Sequence, residues 1–361
     1  MNAASTTPRR TRRSQTDPLD AMLTIHHVAL HEPPGIAFDA VQAAERNLGY
    51  AHLVAPGARF ALPRGHGRID AAETARLARA DAVLLPIAPA RCSLSDLALA
   101  AAHALTAAAG AAVVAQSTHV IMAQASLNEQ IVESVAGRVQ QALGLGAVLP
   151  FGLGQCGTLG FFAALALAPG LLRDGGQILL VAADKWLYPF FRVHGDFVAY
   201  GDGAGALLLR AGAGEGGSRV LGHALSHGDA ITDPWAMAPD ELEVRLLPQV
   251  VVAARAALAD AGAQPSDLHF IAPAGFRAGF RAAVAAALGV DATRLMARHD
   301  AAHRSSADTL AALRHAEAAL VPGERRLALF CDAALAGMAG AAVVELHGAA
   351  RRPALDSGNP T

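Results

Sequence analysis

The sequence predicts an α/β protein built from two similar halves packed face to face. Three observations carry this. The order helix, strand, loop with a potentially reactive residue, helix, strand, strand occurs twice along the chain. The segment after Cys156 is apolar almost all round its helical wheel, as a helix at a protein centre must be. Finally, 361 residues with 53% hydrophobic and 17% charged side chains can bury a sizeable core, which excludes global disorder.

In the first copy, residues 96–109 (DLALAAAHALTAAA) read as a helix and 111–117 (AAVVAQS) as a strand. In the second, 249–262 (QVVVAARAALADAG) read as a helix and 268–272 (LHFIA) as a strand. The first half continues as GLGQCGTLGFFAALALAPGLLRDGGQILLVAAD from Gly152. The second continues as RHDAAHRSSADTLAALRHAEAALVPGERRLALFCD from Arg298. Each closes on a small-residue run entering a strand, GDGAGALLL at 201–209 and GMAGAAVVEL at 337–346. The second helix, 307–320, carries Arg314 and Glu317, which predicts shallower burial than its counterpart after Cys156. If a pseudo-twofold relates the halves, it brings Cys156 and the loop 300–306 to one point. The expected organisation is a polar tail over 1–20, a first half with the nucleophile over 21–215, a second half over 216–347, and a tail over 348–361.

Charge and cysteine usage narrow the function. The formal net charge is −2, which argues against a grip on nucleic acid through phosphate neutralisation. Pro, Arg or Asp interrupts the apolar stretches, so no membrane span is expected. The Arg-rich residues 1–20 lack the apolar core of a signal peptide. Three cysteines without a CxxC pair form neither a disulfide framework nor a zinc site, so a reducing, cytoplasmic setting without a metal is expected.

Cys156 lies in Gly154-Gln155-Cys156-Gly157-Thr158, just before the apolar helix. Unpaired N–H groups at a helix N-terminus favour a thiolate, so its pKa is expected to fall and its nucleophilicity to rise. The glycines admit a substrate close to the backbone and place N–H donors for an oxyanion. Most free cysteines are merely small buried hydrophobes. Cys92 and Cys331 lack this setting and keep that reading.

The run around Cys156, the strand QILLVAAD and the run YGDGAGALLL resemble the thiolase superfamily, and within it the ketoacyl-acyl-carrier-protein synthase III branch. The resemblance covers 95–210 clearly and extends through 248–346 by order of elements. It implies a thiolase-like fold with a layered αβαβα core and Cys156 as acyl acceptor. It also implies an acyltransferase fed by acyl-coenzyme A or acyl-carrier-protein thioesters, with no permanently bound cofactor, in specialised polyketide or fatty-acid-like biosynthesis. Acyl carrier protein is a further partner, and a dimer is implied, either of two copies or with a homologue.

The departures from that pattern carry mechanistic content. Where the family places a catalytic His, this chain reads Ala272-Pro273-Ala274-Gly275. Where it places a catalytic Asn, the loop reads His303-Arg304-Ser305-Ser306, with Arg304 at the Asn position. The family's glycine-rich turn is replaced by Asp332-Ala333-Ala334-Leu335. Decarboxylative condensation needs donors aimed at a developing enolate, whereas loading and transferring an acyl group needs a thiolate, an oxyanion hole and one base. The remaining residues therefore suit acyl transfer. His303 is the first candidate for the base and His299 the second, with Asp300 as an orienting carboxylate. His299, Arg304 and Gly157 are the candidate substrate-binding residues. Asp202 is expected to fix a turn. Two other readings stay open: a condensing 3-oxoacyl synthase with displaced catalytic residues, and a catalytically degenerate subunit of a heterodimeric synthase.

Overall fold

A computed structural model of the chain describes residues 22–38, 83–89, 91–128, 133–186, 192–212, 216–298 and 302–348. Both expected tails lie outside the described residues, apart from Gly348. His299, Asp300 and most of the region before residue 90 also lie outside them.

The strands in chain order are β1 (Leu23–His31), β2 (Gly35–Phe38), β3 (Val83–Pro86), β4 (His119–Ala123), β5 (Leu149–Leu153), β6 (Gln177–Asp184), β7 (Val193–His194), β8 (Val198–Ala199), β9 (Gly203–Ala211), β10 (Ser218–His227), β11 (Phe270–Pro273), β12 (Arg325–Ala334) and β13 (Met338–His347). The main helices are α1 (Leu94–Ala109), α2 (Val135–Ala142), α3 (Gly160–Leu171), α4 (Pro239–Asp260), α5 (Ala278–Leu288) and α6 (Asp308–Ala318).

Nine strands join in the order β11-β12-β13-β10-β1-β9-β6-β4-β5. The order is mirrored about the β1–β10 seam, where Leu23, Thr24 and Ile25 pair with Val220, Arg219 and Ser218. In each half a parallel pair (β4–β6, β11–β12) is followed by an antiparallel one (β6–β9, β12–β13). The counterpart of β5 in the second half is reduced to a parallel bridge between Ile271 and Leu295.

Side-chain alternation along the strands sorts the molecule into layers. On β6, Ile178, Leu180 and Ala182 face the cluster containing α3 and α6, while Leu179, Val181 and Ala183 face the cluster containing α1. On β12, Ala328 and Phe330 join the α3–α6 cluster, while Leu329, Cys331 and Ala333 join that of α4 and α5. The layers therefore run α1, first half of the sheet, α3 with α6, second half of the sheet, α4 with α5. This is the αβαβα arrangement expected from the sequence.

Three local readings are corrected. Residues 111–117 do not form the strand: Ala111–Val114 is a helical turn, and the strand is His119–Ala123, where the β-branched residues Val120 and Ile121 enter the sheet. The 249–262 helix starts ten residues earlier, at Pro239, because proline is tolerated in a first helical turn. Helix α6 is buried as deeply as α3, with Leu310, Ala311, Leu313 and Ala316 all inside; Arg314 occupies the one side that reaches solvent.

Candidate functional site

Cys156 and Arg304 occupy the same place in the two halves. Cys156 caps a single 3₁₀ turn, Gly157–Leu159, that leads into α3. Arg304 caps a matching 3₁₀ turn, Ser305–Ala307, that leads into α6. Both turns need left-handed backbone. Gln155 has φ +64° and Gly157 +56°, and Ser305, in the place of Gly157, has +49°. The two turns touch each other between the two halves of the sheet.

The Cys156 turn is partly open. Gly154 and Gln155 are exposed, Cys156 is half-buried, and Thr158 and Leu159 are inside. A Cβ built on Gly157 would stand 2.6 Å from the Cβ of Ala334, so only glycine lets the end of β12 come this close. Thr158 Oγ1 donates to the Ala333 carbonyl at 3.4 Å.

The thiol does not follow the sequence expectation. Burial pushes the Cys156 pKa up; its own N–H favours the thiolate, but the nearby Asp184 carboxylate disfavours it, and the net shift is upward. The physical reason is that the α-helix starts four residues later, at Gly160, while the sulfur stands partly desolvated near an acid.

Asp184 closes the first half's strand β6 and reaches across to the second half. Its Oδ1 accepts the N–H groups of Ala125 (2.7 Å) and Ser126 (2.6 Å), and its Oδ2 accepts that of Ser306 (2.8 Å). Complete burial keeps this carboxyl above the usual carboxylate range despite those donors.

His303 is fully buried, and both its ring nitrogens are engaged. Nε2 meets Asp332 Oδ1 at 3.1 Å, and Nδ1 accepts the Ser305 N–H at 3.0 Å. The ring also packs edge-on against Phe276 and beside Tyr200. Burial disfavours the charged ring, but Asp332 and Asp308 outweigh it and the pKa is raised. The expected free nitrogen aimed at Cys156 is not present, because the two contacts consume both positions. Arg304 is also committed: its Nε lies 2.6 Å from Glu32 Oε1 and its side chain is 11% exposed, so its guanidinium faces Glu32 rather than an open site. Arg304 N–H donates to Asp308, whose carboxylate pairs with Arg298 at 2.8 Å. Burial would raise the Asp308 pKa, but Arg298 and His303 hold it well below the usual range. The structure thus brings Gly157 and the Ser305 turn to Cys156, encloses His303 in its contacts with Asp332 and Ser305, and holds Arg304 in an ion pair with Glu32.

Sequence reasoning singled out neither Asp184 nor Tyr200 as a site residue. Trp186 stacks on Tyr200 at 4.6 Å and donates from Nε1 to Ser305 Oγ at 2.6 Å. A signal for the acids was available: the strands QILLVAAD and LALFCD each reach an Asp near the end of an apolar run. Asp202 accepts the N–H groups of Ala88 and Trp186 and pairs with buried Arg192 at 2.7 Å, so it ties loops together. Among the described residues, no group of three His, Cys, Asp or Glu side chains is placed to hold a metal, and no helix is long and apolar enough to cross a membrane.

Two mirrored α/β halves, with the Cys156 and Arg304 turns meeting at the centre, define a thiolase-like fold. Comparison with known proteins finds similar chains. The β-ketoacyl-acyl-carrier-protein synthase III of Paracoccus denitrificans is 38% identical over 135 residues, which is 36% of this chain and 40% of that enzyme. The chain thus aligns with about two fifths of the length of the curated relatives it matches. The synthase III structure from Pseudomonas aeruginosa superposes with a TM-score of 0.62 at 22% identity, covering 92% of this chain and 99% of that one. The acyltransferase ChlB3 superposes with a TM-score of 0.67 at 20% identity, covering 91% and 98%. No protein-family model matches the chain. The chain has a thiolase-like fold, and part of it is similar in sequence to synthase III enzymes.

Proposed function

We propose that the protein is an acyltransferase that carries its acyl group on Cys156. The observation that carries this reading is the partly open Cys156 turn, with left-handed backbone on both sides of the sulfur and a buried helix behind it. The Cys156 thiolate attacks the carbonyl carbon of a coenzyme A or carrier-protein thioester. A new C–S bond forms, the donor's C–S bond breaks, and the donor thiolate leaves with the electron pair. The thiol's proton goes to solvent or to the departing thiolate. An alcohol, amine or carrier thiol then displaces Cys156, in biosynthesis of polyketide or fatty-acid-like products by a cytoplasmic protein. Backbone N–H groups around Gly157 would bind the oxyanion. Because the thiol pKa is raised, loading is favoured when substrate or a base relieves that penalty. His299 remains a candidate base and substrate ligand; His303 and Arg304 enter through the packing around the turn. The exposed edge of β5, with Leu149 60% exposed, offers backbone hydrogen bonds to a second copy or a homologue.

The test is intact-protein mass spectrometry after incubation with acetyl-, butyryl-, octanoyl- and malonyl-coenzyme A. The chain holds one lysine, Lys185, and it is buried, so amine background is small. A thioester-labile adduct absent in Cys156→Ala is the expected result. One observation favours the second reading, a degenerate subunit: both nitrogens of His303 are occupied, and burial pushes the Cys156 pKa up. No adduct from any donor, with stable co-purification of a homologue, would establish that reading. Carbon dioxide release from the malonyl donor would point to condensation.

A further inference from the structure

A continuous set of contacts runs from the Ser305 turn to the Cys156 turn. Trp186 Nε1 donates to Ser305 Oγ, and Ser305 N–H donates to His303 Nδ1. With Nδ1 accepting, the neutral imidazole carries its proton on Nε2 and donates it to Asp332 Oδ1. The same oxygen accepts the Ala333 N–H at 2.6 Å. The Ala333 carbonyl then receives Thr158 Oγ1, and the Ala334 methyl group fills the space over Gly157. The Asp332 side chain has no solvent exposure, and its Oδ2 has no partner among the described residues. A buried carboxylate so poorly supplied depends on the donors it has.

Resting on the reading of Cys156 as acyl acceptor, we infer that His303 and Asp332 are positioning residues for that cysteine. The contact between His303 Nε2 and Asp332 Oδ1 fixes the end of β12, and through Ala333 and Ala334 it fixes the turn that carries the sulfur. Neither side chain takes a proton from Cys156. Their effect is geometric: a displacement of about 1 Å at a reacting group costs up to about a hundredfold in rate.

The two ring contacts can be separated. His303→Gln keeps a donor near the Nε2 position and loses the acceptor for Ser305. His303→Asn keeps the acceptor and loses the reach to Asp332. Single-turnover acylation by acetyl-coenzyme A, followed by intact mass over a range of donor concentrations, is the readout. His303→Asn is expected to slow the saturating rate at least tenfold, with the half-saturating donor concentration within about threefold of the parent's. His303→Gln is expected to stay within about threefold in both quantities. Asp332→Asn retains an oxygen for Nε2–H and is also expected to stay within about threefold. Equal rates for His303→Asn and the parent would overturn the inference. So would a tenfold loss in His303→Gln, because the contact with Ser305 would then be the one that matters. Should His303→Asn fail to fold, a tenfold loss in a folded Asp332→Asn would overturn it equally, since position would be kept and only charge removed. An unacylated parent sinks the reading of Cys156 itself. In that case iodoacetamide alkylation of Cys156 across the same variants measures the positioning, with His303→Asn expected to differ from the parent by at least threefold and equality again overturning it.

Discussion

The turn at Cys156 and the turn at Arg304 share a backbone and differ in what surrounds them. Both run from a left-handed residue through one 3₁₀ turn into a buried helix. Around Cys156 the neighbours are Gly154, Gly157 and a methyl group from Ala334, and the sulfur is half-buried. Around Arg304 the ionisable side chains are drawn into contacts: Arg304 with Glu32, Asp308 with Arg298, His303 with Asp332. Duplicated geometry therefore supplies a strained, N–H-rich turn twice. The side chains decide that one copy is left accessible and the other is locked as support.

Removing each residue at the head of its turn is the hardest test of that division. Cys156→Ala is expected to abolish acyl labelling completely. Arg304→Ala is expected to keep labelling while losing stability, because it leaves Glu32 without its guanidinium. Peptide mapping of the adduct and a urea titration separate the two outcomes. Loss of labelling in Arg304→Ala with the fold intact would make both turns part of the chemistry.

The pH dependence of Cys156 sharpens the same contrast. Its pKa is raised by burial and by Asp184, so the thiolate fraction is still climbing above neutrality. Alkylation of Cys156, resolved from Cys92 by peptide mapping, is expected to rise about tenfold per pH unit from pH 7 to about pH 9. A plateau below pH 7 would mean that the turn activates the thiol after all.

Gly157→Ala tests how tightly the open turn is held. The added methyl group meets Ala334 at 2.6 Å and must also adopt φ +56°. Overpacking and left-handed backbone together are expected to cost about 2–4 kcal/mol. Ala334→Gly in the same chain removes the clash and leaves the strain. The double variant should therefore recover part of the loss in denaturant unfolding, and additivity of the two changes would show that they do not meet.

Much of this was legible in the sequence because it is carried by pattern. The repeated order of elements and the continuous apolar runs of QILLVAAD and LALFCDAA point to strands buried on both faces around two central helices, and the clusters around α3 and α6 have that form. The meeting of the two turns follows from the same repeat. What the pattern cannot carry is the destination of a polar atom. His303 and Arg304 sit where sequence places reactive groups, yet their partners, Asp332 and Glu32, come from elements remote in the chain. The thiol pKa departs from the sequence expectation for a related reason. Whether a helix begins at residue 156 or 160 is a matter of one 3₁₀ turn, and the acid that opposes the thiolate arrives from the end of β6.

The smallest expected effect concerns the strain in the locked turn. Ser305 holds φ +49° without being glycine, and its hydroxyl accepts the indole N–H of Trp186. Ser305→Ala keeps the left-handed backbone and orphans that N–H, at an expected cost of about 1–2 kcal/mol. Ser305→Gly orphans the same group but relieves the backbone, since glycine takes positive φ without a Cβ clash. Both variants lose the same hydrogen bond, so their difference isolates the strain. The glycine variant is expected to be the more stable of the two by about 1 kcal/mol in urea unfolding. Equal stability, or a more stable alanine variant, would mean that Ser305 is relaxed and that the two turns are not strained alike. The likeness between the Cys156 and Arg304 turns would then extend to their path but not to their energetics.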